Sequence, residues 1–117
     1  MKRFDNCARQ GEVYVMRVKA LPKDAKPARA EEGQFILGHS ETGHHHVVEA
    51  KPNIKFYSSN NPLVSYLEVI EATDQAEALL EHLRTFDTHD TICFKPGVYR
   101  IVNGRESSPE GWRRVSD

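Results

Sequence analysis

The sequence predicts a mainly β protein, a small antiparallel β-barrel or sandwich with one short α-helix. Three observations predict it. The chain has 117 residues, so we expect residues 1–117 to form a single β-rich domain. Apolar and polar residues alternate over short stretches that end at turn-forming residues. A single stretch, residues 74–84, shows helical spacing instead.

The first predicted strand covers residues 12–21. Val13 and Val15 fall on one face, and Tyr14 and Met16 fall on the other. This alternation is typical of a strand with one buried face and one exposed face.

A loop and a β-hairpin follow this strand. Residues 22–32 contain two prolines, several charges and no periodicity, which indicates a loop. Residues 34–39 place Phe35 and Leu37 on one face, and residues 40–43 have the composition of a four-residue turn. Residues 44–49 would then return as the second strand of a hairpin over 34–49.

The second half of the chain continues with short strands. They are predicted over residues 54–57, 63–71, 91–94, 98–102 and 112–115. Pro96 and Gly97 indicate a turn. Since side chains two residues apart share a face, this turn should deliver Tyr99 and Ile101 to the core, with Arg100 facing away.

The exception is the predicted helix over residues 74–84. Asp74 followed by Glu77 resembles a capping box. Four apolar residues then follow helical spacing: Ala76, Leu79, Leu80 and Leu83. We expect this apolar stripe to pack onto the sheet.

The net charge of −1 hides an uneven distribution along the chain. Residues 1–30 hold eight Lys or Arg and three Asp or Glu, a local charge of +5. Residues 31–90 hold three and eleven, a local charge of −8, and residues 91–117 hold five and three. The ends of the chain either neutralise its middle in the fold or form a basic patch for an acidic partner.

Three of these eight basic residues lie in a charged loop over residues 20–32, called the basic loop below. Lys23, Lys26 and Arg29 lie there without aromatic residues between them. A protein is therefore the first partner we expect, and the missing aromatic residues weigh against the alternative, a nucleic acid. His45, at the hairpin turn, would add to this contact surface.

Composition also bears on location. No apolar run approaches the roughly 18 residues of a membrane span, and the first ten residues are polar. We expect a cytoplasmic protein without membrane contact, in which Cys7 and Cys93 are free thiols. Short exposed edge strands would be compatible with a homodimer.

Three consecutive histidines, His44 to His46, follow Gly43 and form the most unusual pattern in the chain. In an extended strand, His44 and His46 project to one side, roughly 6–7 Å apart, and His45 projects to the other. Two imidazoles in this arrangement are half of a metal site. The alternative is a solvated hairpin tip without function.

Several segments, in order, resemble a group of short bacterial and phage proteins. These segments are residues 9–13 (RQGEV), 42–46 (TGHHH), His89, 96–100 (PGVYR) and the tail 114–117. The chain departs from the group at Lys95, where the group has proline, and at Phe86, where it has histidine. The resemblance implies no specific activity. If the group has a metal site, the resemblance places its ligands at His44, His46 and His89.

A weaker resemblance is to the cupins. Gly38 followed by His44-x-His46 matches the start of their first metal motif, but Glu49 falls one residue too early. Arg100 occupies the position of the second motif's histidine, and arginine cannot ligate a metal as imidazole does.

Two functions remain open from the sequence. The first is a small non-enzymatic binding or assembly module of phage or mobile-element type, which contacts a macromolecular partner through hairpin 34–49 and the basic loop. The alternative is a metal-binding β-barrel protein, with or without enzymatic activity, that holds a divalent transition metal at His44, His46 and His89. Glu49 and Glu41 are the carboxylates nearest in sequence to support the ligands.

Overall fold

A computed structural model of the protein describes residues 2–38, 45–71, 78–82 and 91–104. These residues form eleven strands: β1 (Lys2–Arg3), β2 (Cys7–Gln10), β3 (Val13–Val18), β4 (Lys26–Pro27), β5 (Gln34–Gly38), β6 (His46–Glu49), β7 (Ile54–Ser58), β8 (Val64–Val69), β9 (Ala78–His82), β10 (Ile92–Phe94) and β11 (Gly97–Asn103).

The strands make two sheets. The five-stranded sheet has the order β1-β10-β9-β6-β5, and the six-stranded sheet has the order β2-β3-β11-β8-β7-β4. Among the described pairs, only β1 and β10 run parallel. Strand β5 therefore forms one edge of the first sheet, and the two-residue β4 forms one edge of the second.

A shared core packs between the sheets. The six-stranded sheet contributes residues such as Val13, Val15 and Tyr99, and the five-stranded sheet contributes Val48 and Leu80, all of them almost fully buried. Because buried residues from both sheets form one cluster, the two sheets make a sandwich.

Aromatic rings strengthen this core at one end. Phe94 and Tyr99 meet edge to face with ring centroids 4.9 Å apart, and Phe4 lies 5.5 Å from Tyr99. Such edge-to-face contacts contribute beyond the burial of the ring surface. The trio brings β10 and β11, which belong to different sheets, into direct contact.

The prediction of a mainly β, antiparallel fold is confirmed. Of the two predicted architectures, barrel or sandwich, the sandwich describes the arrangement of the two sheets. The described strands form two separate sheets and no closed barrel. The alternation predicted for the first strand is also confirmed, since Val13 and Val15 are buried whereas Tyr14 and Met16 are exposed.

The predicted helix over 74–84 is wrong for the part that is described. Residues Ala78–His82 are strand β9, which pairs with β6 on one side and β10 on the other. Ala78 and Leu80 face the core with a period of two residues. Backbone pairing on both sides outweighs the helical spacing of the leucines, because helix propensity is a weak prior beside tertiary contacts.

The structure also contains strands that the sequence did not indicate. They are the short strands β1, β2 and β4, of which β4 lies inside the predicted loop. All three are short and charged or polar, as edge strands often are, so they lack an apolar alternation. The predicted hairpin is confirmed in its strands β5 and β6, and its turn, like predicted strand 112–115, lies outside the described residues.

The turn at Pro96 and Gly97 delivers its strand as predicted. Tyr99 and Ile101 are fully buried and Arg100 is exposed. Gly97 has a φ of +153°, a backbone conformation that residues with a Cβ rarely adopt.

Candidate functional site

A buried hydrogen-bonded chain links the two sheets. His46, at the start of β6, is 7% exposed, and Gln10, at the end of β2, is 2% exposed. The Nδ1 atom of His46 lies 2.8 Å from Oε1 of Gln10. The Nε2 atom of Gln10 donates to the carbonyl oxygen of Leu80 at 2.9 Å. Gln10 thus ties β2 of one sheet to β6 and β9 of the other.

This hydrogen-bonded chain decides which tautomer the neutral imidazole adopts. The amide nitrogen of Gln10 is used toward Leu80, so the group facing His46 is the amide oxygen, which can only accept. Nδ1 of His46 must therefore carry the proton. In the neutral ring the lone pair then lies on Nε2, which is the arrangement of a metal-ligating histidine whose other nitrogen is held by an oxygen acceptor.

Gly38 makes room for this histidine. It is the register partner of His46, next to an irregularity in the β5–β6 pairing. A Cβ atom at Gly38 would lie 2.5 Å from Cγ2 of Val13 and 3.2 Å from Cδ2 of His46. Any side chain at this position would push on the ring or on the core beneath it.

The predicted metal ligands are only partly visible. His46 is described, whereas His44, His89 and Glu41 lie outside the described residues. Within the residues that are described, no group of three or more His, Cys, Asp or Glu side chains is placed to hold a metal ion. The three-histidine site therefore stays a prediction.

The described carboxylate near the histidines lies elsewhere. Glu49 is exposed at the end of β6, three residues from His46 and so on the opposite face of the strand. Nδ1 of His46 bonds to Gln10 instead, and the supporting role of Glu49 toward the other histidines stays a prediction. Gln10 belongs to the RQGEV segment of the resemblance, but no pattern in the sequence indicated that its side chain meets His46.

A second polar cluster surrounds the Pro96–Gly97 turn. Arg17 donates to the carbonyl oxygen of Pro96 at 2.7 Å, and its guanidinium lies 5.6 Å from the centre of the Tyr99 ring. The hydroxyl of Tyr99 donates to the carbonyl oxygen of Lys95 at 2.6 Å. These contacts fix the turn, and no described group there has the geometry of a catalytic pair.

Two groups at this turn have shifted pKa values, for different reasons. A hydrogen bond and the positive charge of Lys95 hold the pKa of Asp5 below its ordinary value. Burial raises the pKa of the Tyr99 hydroxyl. Both groups keep their usual protonation state at neutral pH, which fits a structural role.

The basic loop is held between the edges of the two sheets. Lys26 and Pro27, as β4, pair with β7 of the six-stranded sheet. Further along, Glu31 forms a backbone bridge to Gln34, the first residue of β5 in the other sheet. The loop is therefore anchored at its middle and at its end beside hairpin 34–49, and its Lys23, Lys26 and Arg29 side chains are exposed.

A cleft of about 200 Å³ opens beside this loop. Ile36 and Leu37 of β5 form one wall, and Phe56 and Ser58 of β7 form the other. Ser58 also pairs with Lys26, so the cleft and the basic loop are contiguous. Apolar walls with a few hydroxyl and amide groups suit an apolar side chain of a partner better than a highly charged small molecule.

His45, the remaining residue predicted to bind a partner, lies directly before β6 and is half-buried. It precedes His46, which pairs with Gly38 at the end of β5. The basic loop meets β5 at its first residue, Gln34. The structure thus brings the three basic residues and β5 to one side of the sandwich and places His45 at the other end of the hairpin.

Comparison with known proteins gives one family. Residues 9–104 match the profile of a family described as a domain of unknown function, DUF8820. The chain belongs to this family. The matched span of DUF8820 contains Gln10, His46 and the whole basic loop. No significant match is found among curated proteins or solved structures. In the part of the chain that the structure describes, no helix is long and apolar enough to cross a bilayer.

Proposed function

We propose that this DUF8820 domain is a small non-enzymatic binding module that contacts a macromolecular partner through β5 and the basic loop. The observation that carries the proposal is the anchoring of the loop. Its pairing with β7 and its bridge to Gln34 hold three exposed cations beside the cleft and the sheet edge. Charged groups presented on a fixed scaffold lose little freedom on binding, which favours affinity.

The edge strand adds a backbone contact. Ala50 donates to the carbonyl oxygen of Gly33 at 2.8 Å, which sets the alternation of bonded pairs between β5 and β6. In an antiparallel pair every second residue bonds to the partner strand, so the backbone groups of Phe35 bond to β6, as those of Gly33 do. The backbone N–H and C=O groups of Ile36, one residue further, point away from β6. Ile36 also lines the cleft. An extended segment of a partner protein would find backbone groups and an apolar pocket at the same place.

Residues 23–29 of the loop carry three cations against one carboxylate, which favours an acidic partner surface, and Glu31 and Glu32 follow at the end of the loop. Lys23, Lys26 and Arg29 are exposed, and Asp24, the acidic residue between them, accepts a hydrogen bond from the backbone of Asn60. The assembly role, of phage or mobile-element type, rests on the resemblance to short bacterial and phage proteins. A protein partner is the first expectation.

The experiment compares partner capture by the native protein and by a charge-reversed loop. Proximity labelling in the native host is read out for the wild type and for the triple variant Lys23→Glu, Lys26→Glu, Arg29→Glu. We expect the labelled set to lose its main specific protein in the triple variant. The control is Lys95→Glu, which reverses an exposed cation beside the Pro96–Gly97 turn, outside the basic loop. Equal loss in both variants, or no loss in the triple variant, contradicts the proposal.

A second candidate function is metal binding at His44, His46 and His89. The observation in its favour is the Gln10–His46 bond, which leaves the lone pair of the neutral ring on Nε2. A divalent transition metal bound there would serve either a structural or an enzymatic role. Metal analysis of untagged protein tests it. A stoichiometric metal that His46→Gln and His89→Gln each remove supports this candidate, and metal-free protein from metal-supplemented cells contradicts it.

A further inference from the structure

The outer face of the six-stranded sheet, away from the core, carries cations and aromatic rings in alternation. It is defined here by Arg9, Tyr14, Met16, Lys55, Tyr66 and Arg100, which the registers of β2, β3, β11, β8 and β7 place on one side of the sheet. Tyr14 is 38% exposed and Met16 is 52% exposed. We propose that this outer face binds single-stranded nucleic acid.

Arg100 lies at the centre of the face. Its register partners are Met16 on β3 and Tyr66 on β8. The side chain is exposed, and no hydrogen bond or ion pair holds it within the described residues. An arginine surrounded by an aromatic ring and an apolar chain, rather than by a carboxylate, is suited to an anion that comes from outside the chain.

The two flanking positions extend this charge across the sheet. Arg9 lies over the Tyr14 ring, with its guanidinium carbon 5.2 Å from the ring centre. Lys55 on β7 is exposed on the same face. Glu68, the acidic residue on this face, is the register partner of Lys55 and accepts a hydrogen bond from the hydroxyl of Tyr57 at 3.1 Å. Three cations against one carboxylate leave the face positive, although the whole chain carries a net charge of −1.

The aromatic spacing favours a single strand over a duplex. Tyr14 lies on β3 and Tyr66 on β8, and only β11 separates these two strands. Neighbouring strands are about 4.8 Å apart, and the register offsets the two tyrosines by two residues along β11, so the rings are based about 12 Å from each other. Splayed bases can lie on such rings while the phosphates reach the cations between them. A duplex buries the faces of its bases and would meet the phosphate contacts alone.

The sequence did not indicate this pattern. Cations with aromatic residues between them were sought in the basic loop, which contains no aromatic residue. The tyrosines and arginines of the outer face come from β2, β3, β8 and β11, which lie far apart along the chain. The proposal goes beyond the binding function proposed for the basic loop, since the two surfaces share no residue.

Fluorescence anisotropy of labelled 15-nucleotide single-stranded DNA and RNA tests the proposal. Binding should weaken with salt, with a slope of log K against log salt of about −2 for three phosphate contacts. Arg100→Gln should weaken binding about 5- to 20-fold and reduce the size of that slope by about 0.7. Tyr66→Leu, which keeps an apolar side chain but removes the ring, should weaken it about 5- to 100-fold.

The control is Arg29→Gln, which removes a cation from the basic loop and should change affinity less than 2-fold. Amide NMR shifts on adding an oligonucleotide should concentrate in β3, β8 and β11, which keeps the test valid if a variant folds poorly. The proposal is overturned if neither the single-stranded DNA nor the single-stranded RNA binds, or if duplex DNA or heparin binds with equal affinity. It is also overturned if Arg29→Gln and Arg100→Gln weaken binding equally.

Discussion

Replacing Gln10 by methionine tests the inter-sheet link at His46. Methionine has nearly the same length, so little cavity forms and the change removes mainly two hydrogen bonds. The Nδ1–H of His46 loses its buried acceptor, whereas Leu80 stays paired with β10 through the backbone ladder. A buried group without its partner costs about 1–3 kcal/mol. We therefore expect Gln10→Met to lower the free energy of unfolding by about 1–3 kcal/mol.

The measurement is urea denaturation followed by circular dichroism, with His46→Phe and the double variant alongside. His46→Phe orphans the amide oxygen of Gln10 and should cost about 1–3 kcal/mol. The double variant removes both partners of the bond. Its loss in free energy of unfolding should therefore be smaller than the sum of the two single losses by about 1–3 kcal/mol.

Gln34→Met is the matched control, because Gln34 is a half-buried glutamine on the edge strand β5. It should change stability by less than about 0.5 kcal/mol. A loss below about 0.7 kcal/mol for Gln10→Met, or strict additivity in the double variant, would refute the inference that the Gln10–His46 bond joins the two sheets.

Three further predictions concern the fold. Leu80→Ala should lower the free energy of unfolding by about 2–5 kcal/mol in urea denaturation. Leu79 is half-buried, so Leu79→Ala should lower it less, and equal losses would argue against the two-residue alternation of β9. Gly97→Ala should cost about 1–3 kcal/mol, because its φ is +153° and the new Cβ would lie 2.8 Å from Nη2 of Arg17, and an unchanged melting temperature would contradict this. Burial raises the pKa of Tyr99 in the folded state, so its stabilising contribution is present below pH about 10 and is lost as the pH rises through the folded value. The urea midpoint should therefore fall more steeply above pH 10 for wild type than for Tyr99→Phe, and identical slopes would show that Tyr99 is not involved.

The histidine cluster shows how far sequence reasoning reaches at the candidate site. The run His44 to His46 drew attention to the right strand, since His46 is a buried polar residue on β6. Its bonded partner, Gln10, lies 36 residues away in the other sheet. No spacing rule connects residues across two sheets, because the contact arises from the packing of the sheets and not from a local period.

The helix prediction failed for a related reason. Helical and strand spacings both fit a short segment rich in leucine, and residues 78–82 offer only five positions to decide between them. The neighbouring strands β6 and β10 decide it, because each supplies backbone partners to β9. A strand at the centre of a sheet gains bonds on both sides, and local propensity is smaller than that gain.

The sequence by itself determined the β class, the alternation of β3, the strands of hairpin 34–49 and the inward direction of Tyr99 and Ile101. These depend on periods of two residues, which are local. Only the tertiary structure decided that the strands form a sandwich, that the basic loop is anchored between two sheet edges, and that Arg100 stands between Met16 and Tyr66. Each of these depends on which strands become neighbours, and the order of strands in a sheet is set by the burial of a common core rather than by any local pattern.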